Sequence, residues 1–194
     1  MRLLKVGVVG LSAAGMLACG GSEVGQLETP LLEKGVEMQD AIYVVNRAHG
    51  GVLGVTLFMS SKPGLCDAFR AGHAQANATM LVISLGGTGQ SPFEEQPVAD
   101  YAVAFAPAGG RSASASVSVS GPDCQGTLSG EQASARTGVV RVSALEVPEL
   151  DATTAERMVG TFELTLGPEG VPAKGRFNAA HCGVPPPLRV TCRE

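Results

Sequence analysis

Tryptophan is absent from this chain of 194 residues, which has only two tyrosines and six phenylalanines. So thin an aromatic supply counts against a sugar-binding platform, which stacks its ligand on exposed rings. It also removes the buried tryptophan expected of an immunoglobulin-type sandwich. Charge is scarce too. Asp, Glu, Lys and Arg make up 16% of the residues, against about 25% in ordinary globular domains. The formal net charge is −4. No basic cluster, aromatic-interleaved basic patch or zinc-finger spacing is present, which excludes an obvious nucleic-acid partner. Histidine is limited to His49, His73 and His181, at none of the i, i+4 spacings of a zinc helix. There is no G-x-S-x-G nucleophile elbow. The glycine loop GGTGQ (86–90) lacks the Lys-Ser/Thr of a phosphate loop and reads as a tight turn.

What is present begins at the N-terminus. Arg2 and Lys5 precede Val6–Ala18, 13 residues without charge, too short for a spanning helix of about 20. A basic start, a short apolar core and small residues before a cleavage point read as an export signal. The stretch Gly15-Met16-Leu17-Ala18-Cys19 resembles the lipobox of bacterial lipoproteins. The small Ala18 fits the position before the cysteine, while Met16 stands where leucine is usual. The resemblance implies cleavage before Cys19, diacylglycerol on its sulfur and acylation of the new N-terminus. Gly20, where aspartate often signals inner-membrane retention in that family, leans toward the outer membrane. The alternative is a soluble periplasmic or secreted protein. The order SKPGLC, GxFxLxxG, GxFxAxxC is also similar to that of small exported cysteine-containing lipoproteins, a resemblance that brings no catalytic residues with it.

On this reading residues 1–18 are a signal peptide, 19–35 a lipid anchor and flexible Gly- and Ser-containing tether, and 36–194 a single β-rich domain. Loss of Arg2 and Lys5 takes the net charge from −4 to −6. The remaining cysteines, Cys66, Cys124, Cys182 and Cys192, are even in number and suggest two disulfides in an oxidising compartment. Three pairings are possible. The stiff Pro185-Pro186-Pro187 segment favours Cys182 with Cys192, leaving Cys66 for Cys124.

Along the domain, β-forming or alternating segments predict strands at 42–45, 52–60, 79–85, 98–105 and 137–147. SASASVSVS (112–120) alternates serine with Ala or Val at period two, the pattern of a strand with one apolar and one hydroxyl face. Two Gly-x-Phe units, Gly160-Thr161-Phe162 and Gly175-Arg176-Phe177, echo across a GPEG turn and predict a hairpin whose phenylalanines share one core. One or two helical turns are expected in LCDAFRAGHAQ, ended by Gly72. The sum is an all-β antiparallel two-sheet sandwich, with a small barrel as alternative.

No residue set forms a catalytic constellation. Glu94 and Glu95 are adjacent and would point apart on a strand, whereas glycosidase carboxylates face each other. Asp67, Asp100, Asp123 and Asp151 form no calcium loop, and neither metal nor cofactor is implied. Candidate binding groups lie in the loops 46–51, 86–97 and 167–170: Asn46, Arg47, His49, Phe93, Glu94 and Glu95. The expected role is structural or interactive in the cell envelope, with a membrane contact through the anchor and an envelope protein or glycan as partner. A carbohydrate- or peptide-binding module and a small extracytoplasmic hydrolase are the alternatives.

Overall fold

The computed structural model describes residues 24–32, 35–48, 51–87, 93, 97–104, 110–146, 156–184 and 191–193. The chain is all-β. In order come β1 (Gly25–Glu28), β2 (Val36–Met38), β3 (Asp40–Ala48), β4 (Gly51–Ser60), the helix α1 (Leu65–Ala71), β5 (His73–Gln75) and β6 (Thr79–Gly86). Then follow β7 (Asp100–Ala104), β8 (Ser112–Ser120), β9 (Gly126–Leu128), β10 (Ala135–Leu145), β11 (Arg157–Leu166), β12 (Val171–His181) and β13 (Thr191–Arg193). Among the described residues eleven strands form one sheet, while β5 and β13 form a second of two. No helix among the described residues is long and apolar enough to cross a membrane.

Strand pairing runs in a circuit: β3, β4, β6, β8, β7, β10, β11, β12 and back to β3. Most joints are antiparallel, as expected. Three are not: β7–β8, β3–β12 and β5–β13 pair in parallel. Within the circuit the parallel joints are brief, with two residue pairs each.

Period-two alternation explains the core. In β8, Ala113, Ala115 and Val117 are buried while Ser114 is exposed. The Gly-x-Phe hairpin is reciprocal: Gly160 pairs with Phe177 and Phe162 with Gly175. A Cβ on Gly160 would stand 2.5 Å from the Phe177 ring, and one on Gly175 would stand 2.5 Å from the Phe162 ring. Each glycine thus makes room for the partner strand's ring. Among the described residues Tyr43, Tyr101, Phe93, Phe162 and Phe177 are the largest fully buried side chains, packed with Met and Leu from most of the strands.

A second cluster lies on the other face of β3, β4 and β6. Ile42, Val44 and Phe58 are covered by Leu65 of α1, with Phe69 packing alongside. Phe58 and Phe69 meet edge to face at 4.9 Å. The helix starts where the Leu65 amide donates to Asp40 Oδ2 at 2.7 Å. It ends at left-handed Gly72, whose amide donates to the Phe69 carbonyl at 3.1 Å.

Two expectations need correction. The disulfides join Cys66 to Cys182 and Cys124 to Cys192, not Cys182 to Cys192 and Cys66 to Cys124. Cys182 is buried at the end of β12, in the cluster beneath α1. Cys192, in β13, pairs with Ala74 of β5, next to the 121–125 turn that carries Cys124 in a left-handed conformation. Ten residues apart in sequence, the last two cysteines belong to different neighbourhoods. Residues 25–28, assigned to the tether, are strand β1, paired with both β12 and β2. Leu27 is fully buried there, which draws the segment into the core.

Candidate functional site

Among the described residues, the candidate loops do not form one site. The 167–170 turn joins β11 to β12, while Asn46 and Arg47 sit near the other end of the circuit, beyond the β3–β12 joint. Both are exposed on β3. Asn46 Nδ2 donates to Thr56 Oγ1 at 3.0 Å, and Thr56 in turn meets Ser84 Oγ at 3.3 Å. Register sets Ser114 beside Ser84, so a row of uncharged polar groups crosses the outer face of four strands. Phe93 is not a surface group. It is 1% exposed, with its ring 5.9 Å from that of Tyr101, itself fully buried. The ring fills the core instead of offering a platform. His49, Glu94, Glu95 and Cys19 lie outside the described residues.

Titratable groups do converge at the β3–β12 joint. His181 Nδ1 is 3.5 Å from Glu156 Oε2, and the Glu156 side chain is 7% exposed. The His181 ring lies 5.2 Å from the Tyr43 ring, tilted. Tyr43 donates its hydroxyl to the Glu146 carbonyl at 2.6 Å, and the His181 amide donates to the Glu156 carbonyl at 3.1 Å. Burial pushes the His181 imidazole below its ordinary value. The Glu156 carboxylate opposes that shift and the Arg47 charge adds to it. Burial, reinforced by Glu156 and Glu146, raises the Tyr43 phenol well above its usual range.

A histidine held on a carboxylate can move a proton. Among the described residues His181 meets Glu156 and Tyr43 and no serine or threonine hydroxyl, and the neighbouring Cys182 is in a disulfide. The cluster ties β12 to β3 and to the segments flanking β10 and β11, at a joint with few backbone bonds. Neither Tyr43 nor Glu156 stood out in the sequence. Tyr43 sits in a run of β-formers and Glu156 in the polar stretch PELDATTAE.

Concavities lie on the outside. A groove of about 700 Å³ runs over β10–β12, lined by Pro30, Val139, Thr165, Pro172 and the Lys174–Glu28 pair at 3.2 Å. Another of about 420 Å³ opens between α1 and β5 beside Lys62, Asp67, His73 and Gln75. His73 Nδ1 there lies 2.8 Å from the Thr191 hydroxyl, and Asp67 pairs with Arg70 at 3.0 Å. Among the described residues no group of three or more His, Cys, Asp or Glu could hold a metal ion. No protein-family model, curated protein or solved structure matches the chain.

Proposed function

We propose that this is a lipid-anchored domain of the cell envelope that works by contact with other envelope components and not by catalysis. The observation that carries the reading is how the polar groups are used. At the β3–β12 joint Glu156 Oε2 lies 3.5 Å from His181 Nδ1 and the Tyr43 hydroxyl donates to the Glu146 carbonyl, so these groups face one another and the backbone, and most of the described aromatic side chains are buried. Contacts with other molecules then fall to the outer faces and loops, where folded domains commonly carry binding. Two disulfides fit an oxidising extracytoplasmic compartment. An exported chain carrying the lipobox-like stretch before Cys19 would reach that compartment attached to a membrane. Multiple acyl chains on one cysteine supply the affinity that a single chain lacks, at about 0.8 kcal/mol per buried methylene.

Intact mass tests the reading. The chain is taken from a membrane fraction and alkylated with and without prior reduction. A polypeptide beginning at Cys19, bearing acyl mass, with four thiols reactive only after reduction, is the expected result. A chain without acyl mass that remains in the soluble fraction refutes the anchor. A detergent-free preparation that turns over model ester, peptide or glycoside substrates refutes the non-catalytic role.

A further inference from the structure

The expected tether of residues 19–35 would let the domain turn freely above a membrane. The structure shortens it. β1 is zipped to β12 from Gly25 onward, and the Asn178 amide donates to the Val24 carbonyl at 2.8 Å. The sheet therefore holds the chain as far back as Val24. Only Gly20, Gly21, Ser22 and Glu23 separate Val24 from Cys19. Five Cα steps span about 17 Å at full extension. A domain of this size is about 40 Å across. A leash less than half that width cannot pass around the molecule.

Resting on the anchor proposed above, we infer that the β1–β12 flank faces the lipid headgroups and the β8 flank faces away. In the eight-strand circuit β8 stands four places from β12 in either direction, on the opposite side. The two flanks differ in chemistry. On the near flank Lys174 pairs with Glu28 at 3.2 Å, and Glu163 of β11 pairs with Arg141 of β10 at 2.8 Å. In this arrangement the leash sets the orientation. The far side offers the serine face of β8, with Ser114 next to Ser84 and Thr56 beyond it. A partner meeting that face meets hydroxyls without charge. It does so within roughly 60 Å of the bilayer, the leash plus the domain width.

Because the chain has no tryptophan, single-Trp variants report from one place. Lys174→Trp marks the near flank and Ser114→Trp the far one, both at exposed positions. Thr161→Trp and Ser118→Trp form a second pair. The acylated full chain is reconstituted in phosphatidylethanolamine–phosphatidylglycerol vesicles containing a dansyl-headgroup lipid, and energy transfer from Trp to dansyl is read after flotation. Transfer from the near-flank variants is expected to exceed that from the far-flank variants severalfold, and to be insensitive to salt. About a dozen Gly and Ser residues inserted between Ser22 and Glu23 should bring the ratio toward one. An acylated chain that floats but transfers equally from both flanks overturns the orientation and leaves the anchor standing. A chain that neither carries acyl mass nor floats overturns both.

Discussion

Replacing Cys66 and Cys182 together by alanine, with Cys124–Cys192 left intact, tests how the domain is held together. The bridge closes a sequence separation of 116 residues. In the loop-entropy model a ring of that size restrains the unfolded chain by nearly 5 kcal/mol. The second bridge shortens the effective ring. A route from residue 66 to 124, across that bridge and back from 192 to 182 is available even when Cys66–Cys182 is gone. The entropic share then falls to about 4 kcal/mol. Removing the buried Cys182 sulfur from beneath α1 adds on the order of 1 kcal/mol of lost packing. The expected loss, about 5 kcal/mol, is at the lower edge of the 5–15 kcal/mol that whole domains usually possess. Urea unfolding followed by far-ultraviolet circular dichroism reads it as a lower midpoint. The slope should steepen as well, because a less constrained unfolded chain exposes more surface. A loss below about 1 kcal/mol with an unchanged slope would refute the reasoning, since neither the long ring nor the contact with α1 would then matter.

Other outcomes are equally concrete. Trypsin leaves the four paired cysteines on separate peptides, and the first runs from residue 48 because Lys62 is followed by proline. An unreduced digest should link peptide 48–70 to 177–189 and 112–136 to 190–193, and any other linked mass contradicts the pairing. Gly160→Ala should cost about 1–3 kcal/mol, the usual range for overpacking, because its Cβ would lie 2.2 Å from the Arg141 carbonyl and 2.5 Å from the Phe177 ring; a thermal scan showing an unshifted midpoint would be inconsistent with that geometry. Neither tyrosine should ionise near pH 10 in the folded protein. Burial, opposed by Arg111, pushes Tyr101 up to about 12, and Tyr43 is raised as well. Stability from these phenols is present below about pH 10 and lost as pH rises through the folded values. Absorbance near 295 nm that climbs with a midpoint at pH 10 while the fold persists would be the wrong result. His181 works in the opposite sense: its lowered value means that the unfolded chain takes up the proton more readily, so stability falls as pH drops below about 6.5. His181→Gln should flatten the change in urea midpoint between about pH 7 and pH 5, and a slope equal to that of the parent chain would exclude this role.

Long strands could be read from the sequence because one buried face imposes a period of two. The serine alternation at 112–120 is β8 residue for residue, and the helical turns expected in LCDAFRAGHAQ span Leu65–Ala71. The Gly-x-Phe echo announced a shared core, and the register supplies its reason. Strands of three or four residues, such as β1, β2, β5, β9 and β13, are too short to show a period. Their existence depends on partners that sequence does not reveal. Phe93 was misread for a related cause. Surrounded by Ser, Pro, Glu and Gln it looks like a loop residue, yet one large apolar side chain can turn inward from a polar segment. The cysteines mark the limit most plainly: their number was informative, but their pairing depends on where β12 ends and where β13 docks. The same holds at the β3–β12 joint, where Glu156 and His181 meet across 25 residues of sequence.

The two disulfides interleave along the chain, since Cys124 lies between Cys66 and Cys182 while Cys192 lies outside them. With the pairing expected from sequence, a single cut between residues 124 and 182 would leave two fragments with no covalent link. With the observed pairing, a break at any one peptide bond between residues 66 and 192 still leaves every part joined through at least one bridge. For a domain exposed to the proteases of an extracytoplasmic space, a nicked molecule is therefore not a lost one. One scission in a loop between residues 66 and 192 releases no fragment, and the strands on either side of the cut remain attached and able to return to their places.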